Sequence, residues 1–112
     1  MFKQIERHPK YIVSDTGAVY RKLPGNGMTY LYPDYSNGYA RVDLDGVKES
    51  IGRLVLETFN PPRDLSQRVF YIDGDTRNNN LDNLVWLTPS EVQLYSQYTV
   101  EYRREKLNRG AR

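Results

Sequence analysis

Apolar and polar residues change their period several times along this chain, and each change marks an element. Strict alternation is cleanest at Tyr39–Leu44, where Ala40, Val42 and Leu44 fall on one face of a strand and Tyr39, Arg41 and Asp43 on the other. Asp45-Gly46 follows as a two-residue hairpin signal, with the chain returning through Val47 to Ser50. Upstream, Tyr11–Ser14, Ala18–Leu23 and Thr29–Tyr32 read as short strands. They are punctuated by Asp15-Thr16-Gly17, by Pro24-Gly25-Asn26-Gly27 and by Pro33-Asp34. The N-terminal half is therefore expected to be an antiparallel β-meander.

From Ser50 the period lengthens. Ile51, Leu54, Val55 and Phe59 recur at helical spacing, Ser50 can cap, and Pro61-Pro62 stops the helix. Two short apolar runs, Val69–Ile72 and Leu84–Leu87, then flank a loop dense in Asn, Asp and Gly. Thr88-Pro89-Ser90-Glu91 is a strong helix start, with a capping hydroxyl, a proline at the first helical position and a glutamate at the third. Val92, Leu94, Tyr95, Tyr98 and Tyr102 extend that helix to about Lys106. The expected fold is α+β, in three regions: a β-rich region 1–50, a helix with a strand–loop–strand–helix unit at 51–100, and a basic tail at 101–112.

At 112 residues the chain forms one domain with a modest core. It has no cysteine, which excludes disulfides and thiolate metal sites and suits a reducing compartment. No apolar run approaches the ~20 residues of a membrane span, and the N-terminal segment lacks the apolar stretch of a signal peptide. A cytoplasmic location is the expectation. The net charge of +2 is unevenly spread. The last twelve positions hold Arg103, Arg104, Lys106, Arg109 and Arg112 against Glu101 and Glu105, leaving the first hundred residues net negative by one charge. Nucleic-acid binding is thus only weakly argued by charge alone. The ten tyrosines can stack on bases, fill an interface or form an amphipathic core shell.

Two blocks of residues carry a family resemblance. Tyr11-Ile-Val-Ser-Asp-Thr-Gly-Ala-Val-Tyr20 is similar to the modular N-terminal motif found on HNH homing endonucleases of phages and bacteria. Arg53-Leu-Val-Leu-Glu-Thr-Phe59, Ile72-Asp-Gly74, Asn78-Asn79, Asn83-Leu84 and Trp86-Leu-Thr88 resemble the HNH core in order and spacing. The resemblance implies a ββα-metal fold that cleaves duplex DNA with one divalent ion and a general-base histidine. It also implies a scaffold role for Asp73, Gly74, Asn83 and Trp86. The same alignment puts the histidine at Tyr71, its neighbouring metal ligand at Phe70 and the second ligand at Val92, while an upstream family histidine falls at Gly52. Base and ligands are missing together. The expectation is a degenerate, non-catalytic HNH-like protein with no metal and no other cofactor.

Three functions stay open. The first is duplex DNA binding by the retained shape, with Lys22, Arg41, Lys48, Arg53, Arg77, Arg103, Arg104 and Lys106 as candidate phosphate contacts. The second is a phage or mobile-element inhibitor of a host protein in the bacterial cytoplasm; Phe70 and Tyr71 would form an aromatic interface patch if exposed and would simply plug the vacated site if buried, and the sequence leaves both open. The third is weak residual nuclease activity. Asp73, Asp75 and Asn78 resemble part of a calcium loop but lack its glycine and distal glutamate. His8 is expected to be a solvated side chain.

Overall fold

The structure, a computed structural model, describes residues 1–110, with side chains through Leu107. Arg112 and the side chain of Arg109, both in the expected basic tail, lie outside the described residues. Four strands, β1 (Phe2–Ile5), β2 (His8–Ser14), β3 (Val19–Lys22) and β4 (Met28–Tyr30), form an antiparallel sheet in sequence order. β1 carries no strong pattern: only Ile5 is buried, and its turn to β2 through Glu6-Arg7 has no Gly or Asn signal. Sequence reading therefore begins the meander one strand late. The turn at Gly17 has a real conformational demand, with φ +93°, and a β-carbon there would lie 3.0 Å from Asn79 Cβ.

β5 (Arg41–Leu44) and β6 (Val47–Ser50) form a separate hairpin. Asp45 and Gly46 both take positive φ, 55° and 85°, the backbone of the tight turn their sequence predicts. Ala40, Val42 and Leu44 are buried and Tyr39 and Asp43 exposed, as the alternation requires. α1 (Ile51–Phe59) follows at once. Ser50 stands at its N-cap without making a cap bond. Ile51, Leu54, Val55 and Leu56 bury α1 at the centre of the molecule, against β1, β2, β6 and the third hairpin.

That third hairpin is β7 (Arg68–Tyr71) and β8 (Leu84–Leu87), joined by the long polar loop and a 3₁₀ turn at Leu81–Asn83. It is covered on both faces. Val69, Tyr71, Leu84 and Trp86 face the main core with α1, while Phe70, Val85 and Leu87 pack into a second cluster with Ile72 and Leu107. α2 (Pro89–Tyr95) opens on the predicted capping box: Thr88 Oγ1 accepts from Glu91 N (3.3 Å) and Glu91 Oε1 accepts from Thr88 N (2.9 Å).

The expected single C-terminal helix is two helices. α2 ends at Tyr95, and α3 (Val100–Gly110) begins after Thr99, whose hydroxyl accepts from Tyr102 N at 3.2 Å. Ser96 bonds back to the Val92 carbonyl, and this competition for a helical acceptor accompanies the break. The break turns α3 back so that Leu107 is buried against the β7–β8 hairpin. Among the described residues no helix is long and apolar enough to cross a membrane.

Candidate functional site

The loop between β7 and β8 is built around one carboxylate. Asp73 Oδ1 accepts from Asp75 N and Asn83 Nδ2, both at 2.8 Å, and its Oδ2 accepts from Asn78 Nδ2 at 2.8 Å. Asn83, 1% exposed, also donates to the Asn78 carbonyl and accepts from Asp73 N, so each polar atom of its amide is paired. Gly74 takes φ +78° to close the turn. Burial pushes the Asp73 carboxyl upward, but the bonds from Asn78, Asp75 N and Asn83, with the nearby Arg104 charge, outweigh it and hold the group below its ordinary value. These oxygens brace a loop. Trp86, 7% exposed, anchors β8 and donates Nε1–H to the Asn60 carbonyl at 2.6 Å.

Strand alternation sends the residues at the expected chemical centre to opposite sides. Tyr71 faces α1, is 9% exposed, and donates its hydroxyl to Asn79 Oδ1 at 2.9 Å. Burial is the main reason its pKa is pushed up to about 12, with the neighbouring Ser50 hydroxyl working in the opposite direction. Its ring occupies the space above Gly52. A β-carbon there would overlap the phenol oxygen and lie 2.9 Å from Asn79 Oδ1. Glycine at 52 and tyrosine at 71 therefore fit as a pair.

Phe70 points the other way, 8% exposed, into the cluster of Ile72, Val85, Leu87 and Leu107, with Val92 and Tyr95 packed against it. Over its ring, 5.3 Å from the centroid, sits the Arg103 guanidinium. Arg103 donates to the carbonyls of Tyr95 (2.8 Å), Ile72 (3.1 Å) and Ser96 (3.2 Å). Phe70 and Val92 offer no donor atom to a cation, and the phenol is neutral at physiological pH. The residues present do not fit a catalytic divalent ion, and no group of three His, Cys, Asp or Glu with metal-holding geometry occurs among the described residues. Of the two arrangements left open for Phe70 and Tyr71, an exposed patch or a buried plug, the structure shows the plug, at 8% and 9% exposure. Both are buried because each face of their hairpin is covered by a helix.

The candidate cations have different surroundings. Arg41 and Lys48 share the outward face of β5–β6 and both approach Asp34, at 3.9 and 3.3 Å. Arg53 lies 3.4 Å from Glu57 and over the Trp86 ring. Arg77 is exposed on the loop and stacks 4.5 Å over Tyr35, while Lys22 is held by Gln4 at 2.7 Å. Arg104 and Lys106 are exposed on α3, with Lys106 over the Tyr102 ring. Arg103 alone is committed to backbone carbonyls. His8, expected in solvent, has a side chain only 12% exposed, and its Nε2 lies 2.7 Å from Glu49. Sequence reasoning missed this because Glu49 lies far along the chain and is brought in by the β5–β6 return.

Residues 52–94 match the family model described as HNH endonuclease. The chain is 29% identical over 96 residues to an uncharacterized HNH endonuclease of Acanthamoeba polyphaga mimivirus, a match covering 81% of this chain and 28% of that protein. The HNH homing endonuclease I-HmuI, a DNA-binding and DNA-cleaving protein, superposes with a TM-score of 0.72 and 29% identity, over 87% of this chain and 57% of its own. The chain thus spans little more than half the length of one relative and under a third of the other. In sequence and in fold the chain is similar to HNH endonucleases, and the likeness to them drawn from its motifs is borne out.

Proposed function

We propose that this chain binds duplex DNA through the retained HNH-like scaffold and does not cut it, as a phage or mobile-element protein of the bacterial cytoplasm. The observation that carries this reading is the filled centre: Phe70, Tyr71 and Val92 stand in packed clusters, and the Tyr71 ring takes the volume a side chain at 52 would need. A water-activating base and a charged ligand set are replaced by apolar packing, while the loop bracing of Asp73, Asn78 and Asn83 is complete. DNA as the partner is supported by the likeness to I-HmuI. Of the candidate contacts, Arg77, Arg104, Lys106 and Lys22 make no ion pair with a carboxylate within 4 Å among the described residues, so their positive charge is open to phosphate.

Binding of a labelled duplex measured across a salt series tests the first half. Affinity is expected to fall steeply with salt, and Arg77→Glu and Arg104→Glu should each weaken binding and lower the slope by about one counterion. Salt-insensitive binding, or none, would remove DNA as the partner. Incubation with supercoiled DNA and Mg²⁺ or Mn²⁺ tests the second half: no nicking is expected above that of a Tyr71→Ala variant.

A further inference from the structure

The β7–β8 hairpin has two strands only, so each strand has an outer edge with no neighbouring strand. The register decides which backbone groups face those edges. Ile72 N–H donates to the Asn83 carbonyl at 2.8 Å, which makes Phe70↔Val85 and Arg68↔Leu87 the bonded pairs of the ladder and Val69↔Trp86 a non-bonded one. The N–H and C=O of Trp86 therefore point away from β7. Among the described residues neither group has a hydrogen-bond partner, although Trp86 is only 7% exposed. Buried backbone groups are rarely left unpaired, and an open strand edge is a template for another strand.

That edge borders a cleft of about 330 Å³, lined by β8, by the loop 60–67 and by α2 with α3, and by no residue of β7. Its size is at the lower end of the range for ligand sites. Charge narrows the occupant. Arg63 and Lys106 line the cleft, both exposed and neither within 4 Å of a carboxylate among the described residues. Glu91 is the one acid of the lining, and its Oε1 is already spent on Thr88 N–H. A small anion would satisfy the Trp86 N–H and be repelled by the carbonyl beside it. An extended peptide satisfies both, because one residue of an antiparallel strand accepts from the N–H and donates to the C=O of the residue opposite. Acidic side chains on that peptide meet the two cations.

We propose that the open edge of β8 takes up an extended acidic peptide segment of a partner protein as a third strand, paired to the Trp86 backbone, with its carboxylates against Arg63 and Lys106. This site shares only Lys106 with the duplex reading, so each can fail without the other. The test is a library of acetylated, amidated hexapeptides that alternate Val or Ile with Glu, Ser or Lys. Each is titrated against the intact chain, with the emission of Trp86, its single tryptophan, as the readout. Glutamate peptides should shift the emission at the lowest concentration and lysine peptides should not shift it. An N-methyl scan of the tightest member should weaken binding about tenfold at the residue opposite Trp86. Its immediate neighbours, whose N–H groups point away from β8, should tolerate methylation. Arg63→Glu, at an exposed position that puts no burden on the fold, should also cost about tenfold. Adding Lys106→Glu should turn the preference to the lysine peptides. No emission change with any peptide, equal response to glutamate and lysine peptides, or a methyl scan without a sensitive position overturns the proposal.

Discussion

At the scale of single residues, the exchange at 52 and 71 is the most specific feature of the molecule. A phenol is larger than an imidazole and reaches further, and its oxygen ends where a β-carbon at 52 would start. Gly52→Ala should therefore destabilise the protein by about 1–3 kcal/mol through overpacking. Tyr71→Phe removes the oxygen that clashes, at the cost of leaving Asn79 Oδ1 without its donor, about 1–2 kcal/mol. The double variant should then lose less than the sum of the two, which a double-mutant cycle in urea would read directly. Additive losses would mean that the two positions do not share the same space. The raised pKa of Tyr71 gives a second signature. Its folded value, about 12, lies above the ordinary 10, so its contribution is complete below pH 10 and is lost as pH rises from 10 to 12. Wild type should lose up to roughly 2–3 kcal/mol more than Tyr71→Phe across that alkaline window. Equal pH slopes for the two proteins would remove the argument.

At the scale of elements, what the sequence made legible depended on how local the cause was. The Asp45-Gly46 turn, the Thr88 capping box and the buried face of Ala40, Val42 and Leu44 are all set within a few residues, and the structure follows them. β1 was hidden because one buried residue in four gives no period, and its partner strand supplies the order. The α2–α3 break was hidden because the tyrosines at 95, 98 and 102 keep helical spacing across it. The site was legible in part: motif order located Asp73, Asn83, Phe70 and Tyr71, but not which neighbours would cover them. The cover of Phe70 comes from α3, through Leu107 and the three carbonyl bonds of Arg103. Arg103→Ala should cost about 1–3 kcal/mol and speed amide exchange in α3 and β7. Arg103→Lys should not restore it, because an ammonium cannot present the guanidinium's fork to three carbonyls at once. A lysine variant with wild-type stability would show that charge over the Phe70 ring is sufficient.

At the scale of the whole molecule, three separate sheets must act as one body although no strand is shared between them. α1 joins them through its apolar side chains, and a polar joint adds to it at the edge. Arg7, in the turn between β1 and β2, bonds Glu49 of β6 and Glu57 of α1, each at 2.8 Å, and His8 reaches the same Glu49. Burial pushes the Glu49 carboxyl up, but the bonds and charges of Arg7 and His8 outweigh it, so its folded pKa lies below the ordinary 4.5. The resulting stability is present above pH 4.5 and is lost as pH falls through the folded value. Arg7 is nearly half exposed, which screens the pair and limits its worth to about 1 kcal/mol. Arg7→Ala should therefore be mildly destabilised at pH 6 and should lose less than wild type when acidified below 4.5. The effect should also be directional. Amides of β1 and β2 should exchange faster in Arg7→Ala, while those of β7 and β8, held by α1 and α3 on either face, should keep wild-type protection. Uniform loss of protection would instead mean that the N-terminal sheet and the ββα unit open only together, and that α1 alone carries the coupling.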